Sequence, residues 1–140
     1  MQDILVFLQH HSTLSASLIA VLILLTILEF IKSKNSAQRI TPARAIQMIN
    51  HQNAIILDIR TKDAYTTGHI VDAISIPLTE LESKYKKLEK SKTQPIIIVC
   101  AAGLESPRAA SILAAHGFTT HLLSGGIRGW KDSDMPLVKG

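Results

Sequence analysis

The hydrophobic residues of this chain form one long block near the N-terminus and recur beyond it in short runs. The block extends from Leu14 to Ile31 (LSASLIAVLILLTILEFI), with Glu29 as its only charged residue. A helix of this length spans about 27 Å at ~1.5 Å per residue, close to the ~30 Å hydrocarbon core of a bilayer. Its apolar residues occur on all sides, whereas a surface amphipathic helix would carry them along one stripe. The block therefore predicts a transmembrane helix.

A buried core helix and a cleaved signal peptide are the alternatives to a membrane span for this block. A signal peptide has a basic segment before its apolar region, but here that flank contains Asp3 and no Lys or Arg. Positive residues instead follow the block, at Lys32, Lys34, Arg39 and Arg44. Because Lys and Arg near a span remain on the cytoplasmic side, we expect a single-pass protein of the inner (cytoplasmic) membrane with its N-terminus outside.

This helix divides the chain into four predicted parts. Residues 1–13 form a short extracytoplasmic or interfacial segment, with a turn of helix between Gln2 and His10, and residues 14–31 span the membrane. Residues 32–38 (KSKNSAQ) form a polar linker, and residues 39–140 form one domain in the cytoplasm. A chain of 140 residues has room for one compact domain and an appendage, not for two domains.

Beyond the linker, short apolar runs alternate with stretches of helical periodicity. Continuous apolar runs predict strands at Ala54–Ile59 and Ile96–Val99, and Ala73–Ile76 and Thr120–Leu123 are predicted as two further strands. The periodic stretches predict helices that begin at Pro42, at Lys62 (ending at Thr67), at Leu78 (ending at Glu89) and at Pro107 (ending at His116). This order predicts an α/β fold, with a parallel sheet flanked by helices on both faces.

The end of the chain is rich in glycine. Gly125, Gly126 and Gly129 predict a tight turn before Trp130, which we expect to pack in the core.

Charge and cysteine content narrow the classes of function. The net charge is +4, without a long basic run, and aromatic residues make up 4%, so a nucleic-acid surface has little support. The single cysteine excludes a disulfide-stapled module. The histidines lack metal-ligand spacing, so we predict no metal site.

Cys100 follows the apolar run Ile96–Val99, and ligands of parallel sheets bind at the carboxyl ends of the strands. The next residues are typical of a tight loop that opens a helix: Ala101–Ala102 are small, Gly103 permits a left-handed turn, and Ser106 before a proline is a good N-cap. Loop N–H groups and the positive helix end would lower the pKa of the thiol. On these residues alone, a functional thiol and an inert buried thiol both remain open.

Four ordered motifs make the part of the chain from Ile40 to Val138 resemble a rhodanese-like sulfurtransferase domain. They are LDIR at 57–60, GHI at 68–70 with AISIP at 73–77, CAAG at 100–103, and GGIRGW at 125–130. With its N-terminal helix, the chain further resembles the bacterial single-pass membrane-anchored members of this family. The resemblance implies a rhodanese-like parallel sheet preceded by one transmembrane helix.

By this resemblance, Cys100 is the catalytic cysteine. Its thiolate would take a sulfane sulfur, hold it as a persulfide, and pass it to an acceptor thiol or cyanide, with no metal or organic cofactor. The loop that would cradle the persulfide with backbone N–H groups comprises Ala101, Ala102, Gly103, Leu104, Glu105 and Ser106. The implied partners are a sulfane-sulfur donor and a thiol acceptor, small or protein-borne, and a partner within the membrane is compatible with the anchor.

Glu105 departs from this pattern, because many active members carry arginine five residues after the cysteine. A carboxylate near the sulfur would raise the thiol pKa and repel thiosulfate, which favours a cationic or protein-borne donor, whereas one directed into water would have little effect. Arg108 is expected to compensate in part. Asp58 and Arg60 are predicted to form an ion pair below the loop, and His69 to be a hydrogen-bonding turn residue rather than a base.

Two further functions remain open. Rhodanese-like domains also serve as non-catalytic interaction modules, and Glu105 favours this alternative while Cys100 opposes it. A cysteine phosphatase would need an arginine six residues after the cysteine to bind phosphate, and Ser106 occupies that position.

Overall fold

The computed structural model describes residues 4, 6–7, 10–34 and 37–140. It contains two compact units, Met1–Ser36 and Ala37–Gly140. The first unit contains helix α1, Ser12–Lys34, and the large apolar side chains of this helix are exposed. Twenty residues of it, Ser12–Ile31, form a helix long and apolar enough to cross a membrane. The predicted span is therefore a candidate membrane helix that begins two residues earlier than expected.

The predicted segments on either side of this span are tested only in part. Much of the segment 1–13 lies outside the described residues, and its interfacial position stays a prediction. The predicted linker 32–38 was too long, because α1 continues to Lys34 and Gln38 already begins a strand. Lysine is a good helix former, which explains why the helix outlasts its apolar block.

The second unit is a five-stranded parallel sheet with helices on both faces, as predicted. Its strands are β1 (Gln38–Ile40), β2 (Ile55–Asp58), β3 (Ile74–Ser75), β4 (Ile96–Val99) and β5 (Thr120–Leu123), in the spatial order β1-β5-β4-β2-β3. Its helices are α2 (Pro42–Gln52), α3 (Lys62–Thr67), α4 (Leu78–Lys84), a 3-10 helix (Tyr85–Ser91), α5 (Ser106–Ala115) and α6 (Gly126–Asp132).

Strand β4 is the central strand, and all of its residues are buried. Ile96 and Ile98 pack in one apolar cluster, and Ile97 and Val99 pack in the other. This alternation follows from the two-residue period of a strand, and it explains why a strand covered on both faces reads as a continuous apolar run. Trp130 is buried in the second cluster, which confirms its predicted place in the core.

The ends of this unit contain a strand and a helix that the sequence does not predict. Gln38–Ile40 is an edge strand that pairs with β5, and sequence could not show it because only Ile40 of its residues is buried. The predicted glycine turn leads directly into helix α6, whose Ile127 and Trp130 are buried. Glycine disfavours helix by about 1 kcal/mol per residue, so this helix depends on its packing rather than on its composition.

The predicted helix Leu78–Glu89 was partly wrong. It is α-helical to Lys84 and continues as the 3-10 helix Tyr85–Ser91, within which Leu88 stays fully buried.

Candidate functional site

Cys100 lies immediately after β4, at the carboxyl edge of the sheet, where the sequence places it. The residue is 1% exposed and packs in the apolar cluster that contains Ile96 and Ile98. It also lines a pocket of about 300 Å³, which is formed by Arg60, Thr61, Ala64, Cys100, Ala101, Ala102, Leu104 and Glu105. The thiol is thus enclosed by the fold and adjoins a pocket at the same time.

Two hydrogen-bond donors converge on the sulfur. The backbone N–H of Gly103 donates to Cys100 Sγ at 2.9 Å, and the hydroxyl of Ser106 donates to it at 3.1 Å. Ser106 was predicted as the N-cap of the following helix, and this was wrong. Glu105 occupies the N-cap position without a side-chain hydrogen bond, and Ser106 is the first residue of α5. Its fully buried hydroxyl reaches the sulfur instead of the helix end.

These contacts set the ionisation of the thiol. Burial raises the pKa of Cys100, but the Ser106 hydroxyl and the backbone N–H groups of Glu105, Ser106 and Gly103 lower it. The lowering contributions together outweigh the burial, so the pKa of Cys100 is below its ordinary value. Donors that hydrogen-bond to the charged form favour that form, and the thiolate is the nucleophilic form of cysteine.

The first turn of α6 binds the backbone of the Cys100 loop. The N–H of Ile127 donates to the carbonyl of Cys100 at 2.8 Å, and the N–H of Arg128 donates to the carbonyl of Ala101 at 3.2 Å. This approach requires glycine at Gly126, where φ is +57° and a Cβ atom would overlap the Cys100 carbonyl oxygen. From sequence, these glycines predict only a simple turn. The GGIRGW motif was the available signal, but a motif does not show what it contacts.

Arg39 also holds the loop, through the carbonyl group of Gly103. Arg39 lies on strand β1, and its Nη1 donates to the Gly103 carbonyl oxygen at 3.2 Å. Gly103 has a φ of +84°, as its predicted left-handed turn requires. From sequence, Arg39 is only a positive charge beside the membrane helix, because no local pattern links it to residue 103.

Asp58 and Arg60 form the predicted ion pair. Arg60 Nη2 lies 2.7 Å from Asp58 Oδ2, and Arg60 Nε donates to Asp58 Oδ1 at 3.0 Å. Arg60 Nη2 also donates to the carbonyl oxygen of Gly68 at 2.7 Å. Asp58 is 1% exposed, and the side chain of Arg60 is 11% exposed. The pair joins the end of β2 to the turn after α3, and Arg60 forms part of the pocket wall.

His69 has the structural role that its position predicts. Its Nδ1 lies 2.8 Å from the carbonyl oxygen of Tyr65, and its ring stacks on the Tyr65 ring with centroids 3.7 Å apart. Its backbone pairs with that of Val138. In the described part of the chain, no three His, Cys, Asp or Glu side chains are grouped as metal ligands would be.

Leu104 and Glu105 form the exposed rim of the pocket, and the side chain of Leu104 is 84% exposed. Arg108 is exposed and does not line the pocket, so its compensation of Glu105 stays a prediction.

Comparison with known proteins agrees with this fold. Residues 41–133 match the family model of the Rhodanese-like domain. Over 142 residues, the chain is 32% identical to the protein YibN of Escherichia coli (strain K12), covering 100% of this chain and 99% of that protein. It is 34% identical over 95 residues to the thiosulfate sulfurtransferase GlpE of Pseudoalteromonas translucida (strain TAC 125), covering 67% of this chain and 89% of that protein.

A solved structure shows the same fold. The rhodanese-related protein of Thermoplasma volcanium superposes with a TM-score of 0.66 at 30% identity, over 72% of this chain and 97% of its own. The parallel sheet and these matches agree with one another. The chain therefore belongs to the rhodanese-like family of the sulfurtransferase superfamily.

Proposed function

We propose that this chain is a membrane-anchored sulfurtransferase or persulfide carrier in which the Cys100 thiolate is the nucleophile. The observation that carries the proposal is the pair of donors on the sulfur, the Gly103 N–H at 2.9 Å and the Ser106 hydroxyl at 3.1 Å. An inert buried cysteine packs among apolar atoms and needs no such donors. Here they favour the ionised, reactive form, beside a pocket that can admit a donor molecule.

The proposed reaction has two steps. The Cys100 thiolate attacks the sulfane sulfur of a donor, the S–S bond of the donor breaks, and the leaving group departs with the electron pair. Cys100 then carries a persulfide, and the Gly103 N–H and the Ser106 hydroxyl lie beside its inner sulfur, Sγ. An acceptor thiolate or cyanide attacks the outer sulfur and releases the Cys100 thiolate. This is covalent catalysis by an activated thiol in a cradle of fixed dipoles.

The test is sulfur loading of the full-length chain in detergent. Incubation with sulfane-sulfur donors should add one sulfur atom by intact mass, and Cys100→Ser should abolish the gain. Because the chain has a single cysteine, no second thiol complicates the measurement. A wild-type chain that stays unmodified across small-molecule and protein persulfides would contradict the proposal and would favour the alternative, a non-catalytic interaction module. The exposed Leu104 and Glu105 on the rim are the features that favour that alternative.

We also propose that Ser12–Ile31 spans the inner membrane, with the N-terminus outside and the rhodanese-like domain in the cytoplasm. The Lys and Arg residues that follow the helix support this orientation. Protease added to right-side-out vesicles should leave the domain intact, and protease added to inverted vesicles should digest it. The opposite pattern would reverse the orientation.

A further inference from the structure

The pocket beside Cys100 contains two charged side chains, and only one of them is neutralised. The guanidinium of Arg60 donates to both carboxylate oxygens of Asp58 and to the Gly68 carbonyl. The buried Asp58 carboxylate therefore neutralises the positive charge of Arg60. The side chain of Glu105 is exposed and has no hydrogen-bond or ion-pair partner among the described residues. The lining of the pocket thus carries one uncompensated negative charge.

The positive dipoles near the pocket are already directed at the sulfur. The Gly103 N–H and the Ser106 hydroxyl contact Cys100 Sγ, and they stabilise the thiolate before any donor arrives. The rest of the lining is largely apolar, with Ala64, Ala101, Ala102 and the 84% exposed Leu104. An approaching molecule therefore meets an apolar wall, a thiolate and a carboxylate.

We propose that the sulfur donor of this chain is an alkyl persulfide, R–S–SH, whose R group is neutral or cationic, and that Glu105 determines this specificity. This inference rests on the proposed function of Cys100. Thiosulfate is a dianion and would bring two further negative charges to a pocket that holds a thiolate and an unpaired carboxylate. A neutral persulfide avoids this repulsion, and a cationic group beside the sulfur is attracted to Glu105.

The transfer balances without a further reagent. The Cys100 thiolate attacks the outer sulfur of R–S–SH, and a new S–S bond forms as the S–S bond of the donor breaks. R–S⁻ leaves with the electron pair, and the proton remains on the transferred sulfur, which gives Cys100–S–SH. One negative charge is present before and after the step, and no external oxidant or reductant is needed.

The experiment compares two donors of similar size and opposite charge, the persulfide of cysteamine and the persulfide of 3-mercaptopropionate. The readout is the rate of single-sulfur gain by the full-length chain in detergent, with thiosulfate as a third donor. We expect Glu105→Gln to reduce the preference for the cationic donor on the order of tenfold, because one unit charge changes at a distance of several ångströms. Glu105→Arg should reverse the preference and accelerate loading by thiosulfate. Added salt should weaken the wild-type preference.

The matched control is Glu89→Gln, which removes an exposed glutamate from the 3-10 helix, outside the pocket lining. It should leave the donor preference at the wild-type value. If the preference is the same in wild type, Glu105→Gln and Glu105→Arg while sulfur still loads on Cys100, the specificity inference is wrong and the proposed function stands. If none of the three donors, nor any protein persulfide, loads wild-type Cys100, the proposed function itself fails.

Discussion

Strands β2 and β4 are neighbours in the sheet, and a buried ionisable side chain lies at the end of each. The two side chains differ in the partners that they contact. Asp58 pairs in register with Val99, the residue before Cys100, and both Asp58 and Cys100 are 1% exposed. At the end of β2, the carboxylate is fixed by the Arg60 guanidinium at 2.7 Å. At the end of β4, the sulfur receives an N–H and a hydroxyl but no cation among the described residues.

Under the proposed function, this difference separates a structural strand end from a reactive one. The positive charge of Arg60 neutralises the carboxylate of Asp58 and fixes its position, so this carboxylate has a structural role. Dipoles favour the thiolate of Cys100 without neutralising it, so its electron pair remains available for attack. Two variants test this comparison, one at each strand end.

The larger effect on stability is expected at the end of β2. Asp58→Asn should lower the free energy of unfolding by about 3 kcal/mol, because it leaves the Arg60 charge without its carboxylate and turns an amide N–H toward the guanidinium. Urea unfolding of the full-length chain in detergent measures this, since the buried Trp130 is the only tryptophan and its fluorescence reports on the domain.

Asp63→Asn is the matched control, since Asp63 is an exposed aspartate in the first turn of α3. It should change the unfolding free energy by no more than about 0.5 kcal/mol. If Asp58→Asn is as mild as this control, the ion pair does not stabilise the fold, and the contrast between the two strand ends is wrong.

The smaller effect is expected at the end of β4, and it concerns reactivity. Ser106→Ala removes a donor that lowers the pKa of Cys100, so the pKa of the thiol should rise. The rate of alkylation by neutral iodoacetamide increases with pH as the thiolate forms. In the variant this increase should move to higher pH, with a rate at pH 7 that is lower by roughly three- to tenfold. Well above both pKa values, the two rates should converge.

Ser111→Ala is the control for this measurement, because Ser111 lies on the same helix and its exposed hydroxyl donates only to the Pro107 carbonyl. Its pH profile should match that of the wild type. A Ser106→Ala profile that also matches the wild type would show that the hydroxyl does not stabilise the thiolate.

The features of the fold that sequence predicts well are those with a local physical cause. Strands β4 and β5 have the predicted bounds. For β4 the cause is its apolar run, because a strand buried on both faces needs apolar residues at each position. Strand β1 shows the opposite case. Its place at the sheet edge comes from pairing with β5, far along the chain, and no pattern in three residues can report that pairing.

In the site, too, the features with a local cause can be predicted from sequence, and those that depend on the path of the chain cannot. The position of Cys100 follows from the rule that parallel sheets bind ligands at their carboxyl edge, and the Asp58–Arg60 pair follows from their spacing of two residues. Local rules assign the hydroxyl of Ser106 to the helix end, because serine before proline favours capping there. The buried sulfur competes for the same hydroxyl, and only the path of the loop shows which acceptor it reaches.

The contact of Gly126 with the Cys100 backbone makes the reactivity of the thiol depend on the far end of the chain. The first turn of α6 holds the carbonyls of Cys100 and Ala101, so local unfolding of α6 would also release the loop that orients the Gly103 N–H. Opening of α6 would then weaken the stabilisation of the thiolate, although Ser106 lies on α5. Under the proposed function, a defect in α6 would lower the reactivity of Cys100 while every residue that touches the sulfur remained unchanged.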